Sequence, residues 1–347
     1  MIKRLLYISI LLAAMLASCT KITQGPEAQE LVFSAVASHS VKSIITSTNY
    51  PLDEPFAVEA VYIPTPEDGA QSKMFMTGET VRYNSDQAVW KTRNEYFWPE
   101  NGTLLFYAGS PIIPQLTVSA DKGVEIDWAA PTVEQTQTDL CFASATENCK
   151  SHASAVPIVF SHALSQICIK ARCLENYSYS RKENNLVQAN VIKVILDSVK
   201  ICGIVSKGHF TQEPLRWTTD PSYTADYQVF RSDEGLELGI DRYDNPILNT
   251  VGTLLLIPQN LGKKAVIKVW YHVWVRSSVT NADTGQIVSD ETYTIPQYSE
   301  ISLGLYCPNW LMDYKYTFRL AIGMEETQMA TAITDWTETK ERIIGDE

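Results

Sequence analysis

The chain has 347 residues, with 28 Lys and Arg against 40 Asp and Glu, a formal charge of −12. An acidic balance without a basic cluster argues against nucleic acid and anionic membrane surfaces as partners, since both are held through patches of Lys and Arg. A hydrophobic share of 45%, with 17 Tyr and 8 Trp, excludes a disordered chain, and the length suits about two domains.

At the start, Lys3 and Arg4 precede an apolar run from Leu5 to Leu16, and Ala17 and Ser18 then lead into Cys19. A basic pair, an apolar stretch and small residues ahead of a cysteine form the pattern of a lipoprotein signal. The stretch is too short for a bilayer span, which needs about 20 residues. The expectation is removal of residues 1–18 and acylation of Cys19, an anchor that would hold the chain at the outer membrane. An ordinary secretory signal with an incidental cysteine is the alternative. The mature chain would then keep 26 basic and 40 acidic residues.

Beyond Cys19 the apolar residues recur with period two, the mark of half-buried strands. Strands are expected at Leu31 to Ala37, Phe56 to Tyr62, Leu104 to Ala108, Val156 to Phe160, Gln166 to Ala171, Val191 to Leu196, Val199 to Ile204 and Thr253 to Ile257. The clearest alternations are Ile267 to Arg276 and Tyr314 to Ile322. Turn residues separate them at Pro66 to Gly69, Asn101-Gly102, Asp121 to Gly123, Asp244 to Pro246 and Asn281 to Gly285. Thr132 to Leu140 suits a short turn of helix, and no amphipathic helix of ten residues is legible. Many short strands with few helices predict all-β sandwiches. The polar interval Ala143 to Ser154 is read as the join, giving domains at 19–150 and 151–347. Leu174 to Val187 and Gly208 to Asp244 would be long excursions of the second.

Six cysteines follow Cys19: Cys141, Cys149, Cys168, Cys173, Cys202 and Cys307. Cys168 and Cys202 lie in apolar runs, which favours buried free thiols. An exported compartment also permits a bridge such as Cys141 with Cys149. No pair has C-x-x-C spacing, so no metal site is expected. Sequences typical of metalloproteases, serine hydrolases and phosphate-binding loops are absent, so neither a catalytic residue nor a cofactor is assigned. His162 and His272 read as hydrogen-bonded structural histidines. Asp241, Asp244 and the pair Glu325-Glu326 read as solvated turns. Trp270 and Trp274 share one strand face and could stack on sugars or pack against a neighbouring domain.

The order of several short segments resembles the Mfa-like fimbrillin family of Bacteroidetes, pilins and adhesins of protease-assembled pili. In the first half these are Tyr50-Pro51, Phe56 to Val58, Trp90, Tyr96 to Pro99, Leu105 to Ala108 and Thr138 to Leu140. In the second they are Val159 to Ile167, Gly208 to Phe210, Trp217, Leu255 to Gln259 and Ile333 to Trp336. The resemblance implies two tandem transthyretin-like antiparallel β-sandwiches, export as a lipoprotein, and assembly by donor-strand insertion with other pilin subunits. It also implies contact with a host or bacterial surface receptor.

In that scheme a strand within Glu30 to Ser38 completes one sheet of the first domain until a protease removes it and another subunit's strand takes its place. Lys42 is the expected cut, with Ser43 the new first residue. An ordinary surface lysine is the alternative. Stalk pilins of the family are cut after arginine, whereas the first arginine past Cys19 here is Arg82, inside an expected strand. The tail after Trp336 has only Ile343 and Ile344 as aliphatic residues. A donor strand would have to recruit Met329 to Trp336, which points to an accessory, tip or anchor subunit, or to a surface adhesin that never polymerises. A lipid-anchored glycan-binding protein of a nutrient-uptake system, with Trp270 or Trp274 as platform, is the competing expectation.

Overall fold

Alternating apolar residues close the first part of the chain into a continuous sheet. The computed structural model describes residues 29–37, 50–68, 70–240, 253–336 and 342–344. Cys19, Asp241, Asp244 and the turn Asp244 to Pro246 therefore lie outside the described residues. The first strands are β1 (Phe33–Ala37), β2 (Phe56–Ile63), β3 (Lys73–Asn84), β4 (Val89–Thr92) and β5 (Thr103–Ser110). A hairpin of β6 (Leu116–Ser119) and β7 (Gly123–Ala129) follows, then β8 (Cys141–Asn148) and β9 (Val156–His162). In the order β1-β4-β3-β2-β5-β8-β9 these strands form a barrel, closed because β9 also pairs with β1. Phe56, Val58 and Ala60 of β2, Leu104, Phe106 and Ala108 of β5, and Val156, Ile158 and Phe160 of β9 fill its interior.

The remaining strands are β10 (Ser165–Cys173), β11 (Tyr179–Glu183), β12 (Leu186–Val205), β13 (Lys207–Thr211), β14 (Arg216–Thr219), β15 (Thr224–Glu237) and β16 (Leu254–Leu256). After them come β17 (Val266–Asn281), β18 (Ile287–Ser302), the four-residue helix α1 (Leu303–Tyr306), β19 (Tyr314–Ile322), β20 (Thr327–Asp335) and β21 (Arg342–Ile344). One sheet runs β16-β10-β19-β20-β21, and another runs β11-β12-β17-β18 with β15 also paired to β12. A third, β14-β13-β7-β6, joins the hairpin of the first part to strands of the second. Two hydrophobic clusters result, one inside the barrel and one among the other sheets.

The all-β expectation holds, and several details differ from the sequence reading. Pairing is not purely antiparallel, because β1 runs parallel to β9 and β10 parallel to β19. Short turns dictate antiparallel neighbours, but these pairs are joined by long stretches of chain, so no hairpin sets their direction. The segments Val191 to Leu196 and Val199 to Ile204 belong to one strand, β12, whose register shifts between Leu196 and Ser198. Such a bulge turns a residue out of the ladder, and Asp197 there meets His272 Nδ1 at 2.9 Å. The expected excursions carry β11, β13, β14 and β15. The short turn of helix expected within Thr132 to Leu140 is present as a 3-10 turn, Glu134–Thr136. The interval Ala143 to Ser154 is mostly β8 and the turn into β9, two paired strands of the barrel. Its polar look comes from the solvent-facing residues of β8.

Gly203 sits in β12 with φ of +71°, and a Cβ there would stand 2.2 Å from the Lys264 carbonyl oxygen. A left-handed residue with a side chain already costs roughly 1–2 kcal/mol, and the backbone opposite would have to move. Gly203→Ala is expected to destabilise the chain by about 2 kcal/mol or more. Urea unfolding followed by tryptophan fluorescence measures it.

Candidate functional site

Residues 29–37 form the seat that closes the barrel. The segment enters beside residues 96–98, where Leu31 N donates to Tyr96 O at 2.7 Å and Trp98 N to Gln29 O at 3.0 Å. Phe33 then pairs with Trp90 of β4. From Phe33 to Ala37 the strand lies parallel to Val156 to Phe160, and Val156 N donates to Val32 O at 2.8 Å. This strand thus connects β4 to β9.

Its side chains follow the strand period. Leu31, Phe33 and Ala35 point inward and are buried, while Ser34 and Val36 face out. The Phe33 ring meets Phe56 and Phe106 edge-on, with centroids 6.2 and 5.8 Å apart. Tyr50, the first described residue after this segment, stacks on Phe160 at 4.8 Å, and its hydroxyl bonds Ser110 Oγ. Burial raises the Tyr50 phenol well above its usual range. Each large apolar side chain buried here contributes about 1.5–3 kcal/mol, so Leu31 and Phe33 dominate the apolar hold on the segment. Lys42 and Ser43 fall within 38–49, outside the described residues.

The other expected site residues are scattered. Met329 to Asp335 lies in β20, paired along its length with β19, Trp336 follows directly, and Met329, Ala332 and Trp336 are buried. That segment is already part of the second core. The tail touches the fold through β21, whose pairing with β20 covers three residues. On the outer face of β17, Trp270 leans on Tyr298 at 5.4 Å with the Lys200 ammonium 5.9 Å away, and the Lys193 ammonium stands 5.7 Å from Trp274. Neighbours in the same sheet therefore lie over both rings. A hollow of about 390 Å³ beside Trp270 is lined by Asp197, Lys200, Gln228, Arg231 and Asp233 among others.

One cluster escaped the sequence reading. Asp139, Cys141 and His162 meet in the interior, with His162 Nδ1 2.8 Å from Asp139 Oδ2 and 3.6 Å from Cys141 Sγ. Trp336 stacks on the imidazole at 4.1 Å with the planes 5° apart, and the His162 backbone N donates to Asp313 Oδ1 at 3.3 Å. Burial is the largest influence and opposes the imidazolium, but Asp139 and Cys141 together outweigh it and hold His162 well above the usual histidine range. Burial also pushes the Cys141 thiol up to about 11, the reverse of an activated nucleophile. The six cysteines among the described residues are buried and unbridged.

The sequence model of the Fimbrillin-like family matches residues 55–336, and the chain belongs to that family. Among solved structures it is similar to a fimbrial protein from Bacteroides vulgatus, at 19% identity and a TM-score of 0.57, covering 88% of this chain and 99% of that one. A candidate cell adhesion protein from Bacteroides uniformis matches at 11% identity and a TM-score of 0.49, covering 89% and 99%. Another from Bacteroides ovatus matches at 16% and 0.44, covering 91% and 100%. Comparison with curated proteins finds no match.

The seat yields a direct expectation. Phe33→Ala should cost about 3–5 kcal/mol, as for a large ring removed from a core. Ser34→Ala, one residue along on the exposed face, should leave the urea midpoint unchanged.

Proposed function

We propose that this protein is a fimbrial subunit or fimbrillin-like surface adhesin that assembles by protease-triggered strand exchange. The observation that carries the reading is β1, a strand at the N-terminal end of the described chain that closes the barrel. Leaving that seat would expose backbone groups of β9 and residues 96–98 together with the pocket of Phe33. Each buried polar group left unmet costs about 1–3 kcal/mol, so the opened barrel favours a substitute strand with apolar residues at alternate positions. Cleavage after Lys42 would detach this segment, and with it an acylated Cys19, leaving Ser43 as the new first residue.

Family membership supports the fimbrial part of the reading, and the fold shared with the Bacteroides vulgatus fimbrial protein agrees with it. The same reading divides the chain into two transthyretin-like sandwiches, with the division after His162, where the barrel ends. An accessory, tip or anchor role fits β20, which a donor strand would have to recruit and which is already paired along its length with β19. The receptor would be a surface molecule of a host or neighbouring bacterium, and the lipid would tether the unprocessed chain to the outer membrane. A glycan-binding surface protein is the second reading, with the hollow beside Trp270 as its site. The lysines over both tryptophan rings weigh against it.

Digestion of the full chain with a lysine-specific protease tests the exchange. A ladder on a non-boiled gel and a fragment starting at Ser43 are expected, and Lys42→Gln should abolish both. Cleavage at Ser43 that leaves only monomers contradicts strand exchange. Labelled palmitate should enter the wild-type chain in cells and not Cys19→Ser, and equal labelling of the two contradicts the anchor.

A further inference from the structure

Asp139 stands two residues ahead of Cys141 at the start of β8, and Cys141 lies opposite His162 across the β8 and β9 pair. This register brings together a carboxylate, a thiol and an imidazole with residue exposures of 4%, 3% and 1%. One donor atom from each falls within 4.8 Å of the others. We propose that Asp139, Cys141 and His162 form a binding site for a borderline-soft divalent cation, zinc, at the junction of the two cores.

Three observations carry the assignment. The donor set is the sulfur, nitrogen and oxygen combination that zinc accepts, and the Sγ to Nδ1 distance of 3.6 Å matches its geometry. Bonds of about 2.3 Å to sulfur and about 2.0 Å to nitrogen at a tetrahedral angle place those atoms about 3.5 Å apart. Oδ1 of the buried Asp139 carboxylate has no hydrogen-bond partner, while Oδ2 faces the ring nitrogen at 2.8 Å. Leaving a buried carboxylate oxygen unmet is costly, and a cation supplies the partner that Oδ1 lacks. Finally, the Trp336 indole stacks on the ring from outside the cluster, with the planes 5° apart, and so restricts its orientation.

On binding, bonds form from the cation to sulfur, nitrogen and oxygen, while the thiol proton and any proton on Nδ1 leave to solvent. Thiolate, carboxylate, neutral imidazole and dication sum to zero, so the occupied site carries no net charge. The carboxylate must swing outward, because 2.8 Å between Oδ2 and Nδ1 is shorter than the roughly 3.3 Å that a shared zinc imposes. Asp139 precedes the first residue of β8, so no strand ladder opposes that swing. Burial implies that metal enters as the chain folds.

The test refolds the full chain with cobalt(II), removes free metal by desalting, and counts retained metal by mass spectrometry. The wild type should keep one cobalt per chain, show the thiolate-to-cobalt absorption of a sulfur ligand, and give up the cobalt to equimolar zinc. Cys141→Ser should lose the absorption and Cys149→Ser should keep it. Should Cys141→Ser not fold, Asp139→Asn and His162→Gln serve in its place, each binding roughly tenfold or more weakly. A wild-type chain that refolds to its native circular dichroism yet retains no metal overturns the proposal. So does an absorption that survives in Cys141→Ser.

Discussion

The first half of this molecule depends on one strand being in its seat. Six of the seven barrel strands are β2 to β5, β8 and β9, and their two free ends are β4 and β9. Only β1 connects them, through Phe33 opposite Trp90 on one side and five paired residues on the other. A sheet closed in this way has no exposed edge to recruit other strands. The same residues insert Phe33 between Phe56 and Phe106, so edge protection and core packing rest on one short segment.

The second core leans on the first through a few defined contacts. The hairpin of β6 and β7, inserted between two barrel strands, pairs along β7 with β13 and so shares a sheet with the later part of the chain. Phe142 of β8 meets Phe210 of β13 at 5.1 Å, and Trp217 Nε1 donates to the Ala163 carbonyl at 2.6 Å. The Asp139, Cys141 and His162 cluster stands at the same crossing, under Trp336 from the end of β20. An aromatic ring stacked on a buried imidazole that faces a carboxylate makes that crossing sensitive to changes on either side, because the polar groups have no water to fall back on.

Much of this architecture was legible because a half-buried strand writes its burial into alternate residues. Tyr314 to Ile322 is expected and found as β19 with the same limits, and Leu31 to Ala37 contains β1. Strands exposed along most of their length, such as β11 and the outer part of β18, carry no such alternation, and they were read as loops or missed. Direction was legible only where a short turn joins neighbours, which is why the parallel pairs came from the structure. The buried cluster illustrates another limit. Asp139 and Cys141 flank Leu140, but His162 lies 21 residues beyond Cys141, and only the β8 and β9 register turns that separation into contact. A search for C-x-x-C spacing looks along the chain, whereas these donors are neighbours across it.

The seat also explains why a covalent cut belongs in the proposed assembly. A strand tethered to its own barrel by a short linker competes at an effective concentration in the millimolar range. A free strand of equal quality at micromolar concentration is then outcompeted about a thousandfold, equivalent to roughly 4 kcal/mol. An incoming strand could reverse this by better packing, but the pocket of Phe33 is already filled by an aromatic ring with two edge-on partners, which leaves little to gain. Severing the linker removes the advantage without altering a single contact in the seat. The resident strand can then diffuse away, and an incoming strand tethered to its own folded subunit need only match it. In this scheme the barrel sets which strands fit, and the cut within residues 38–49 sets when exchange begins.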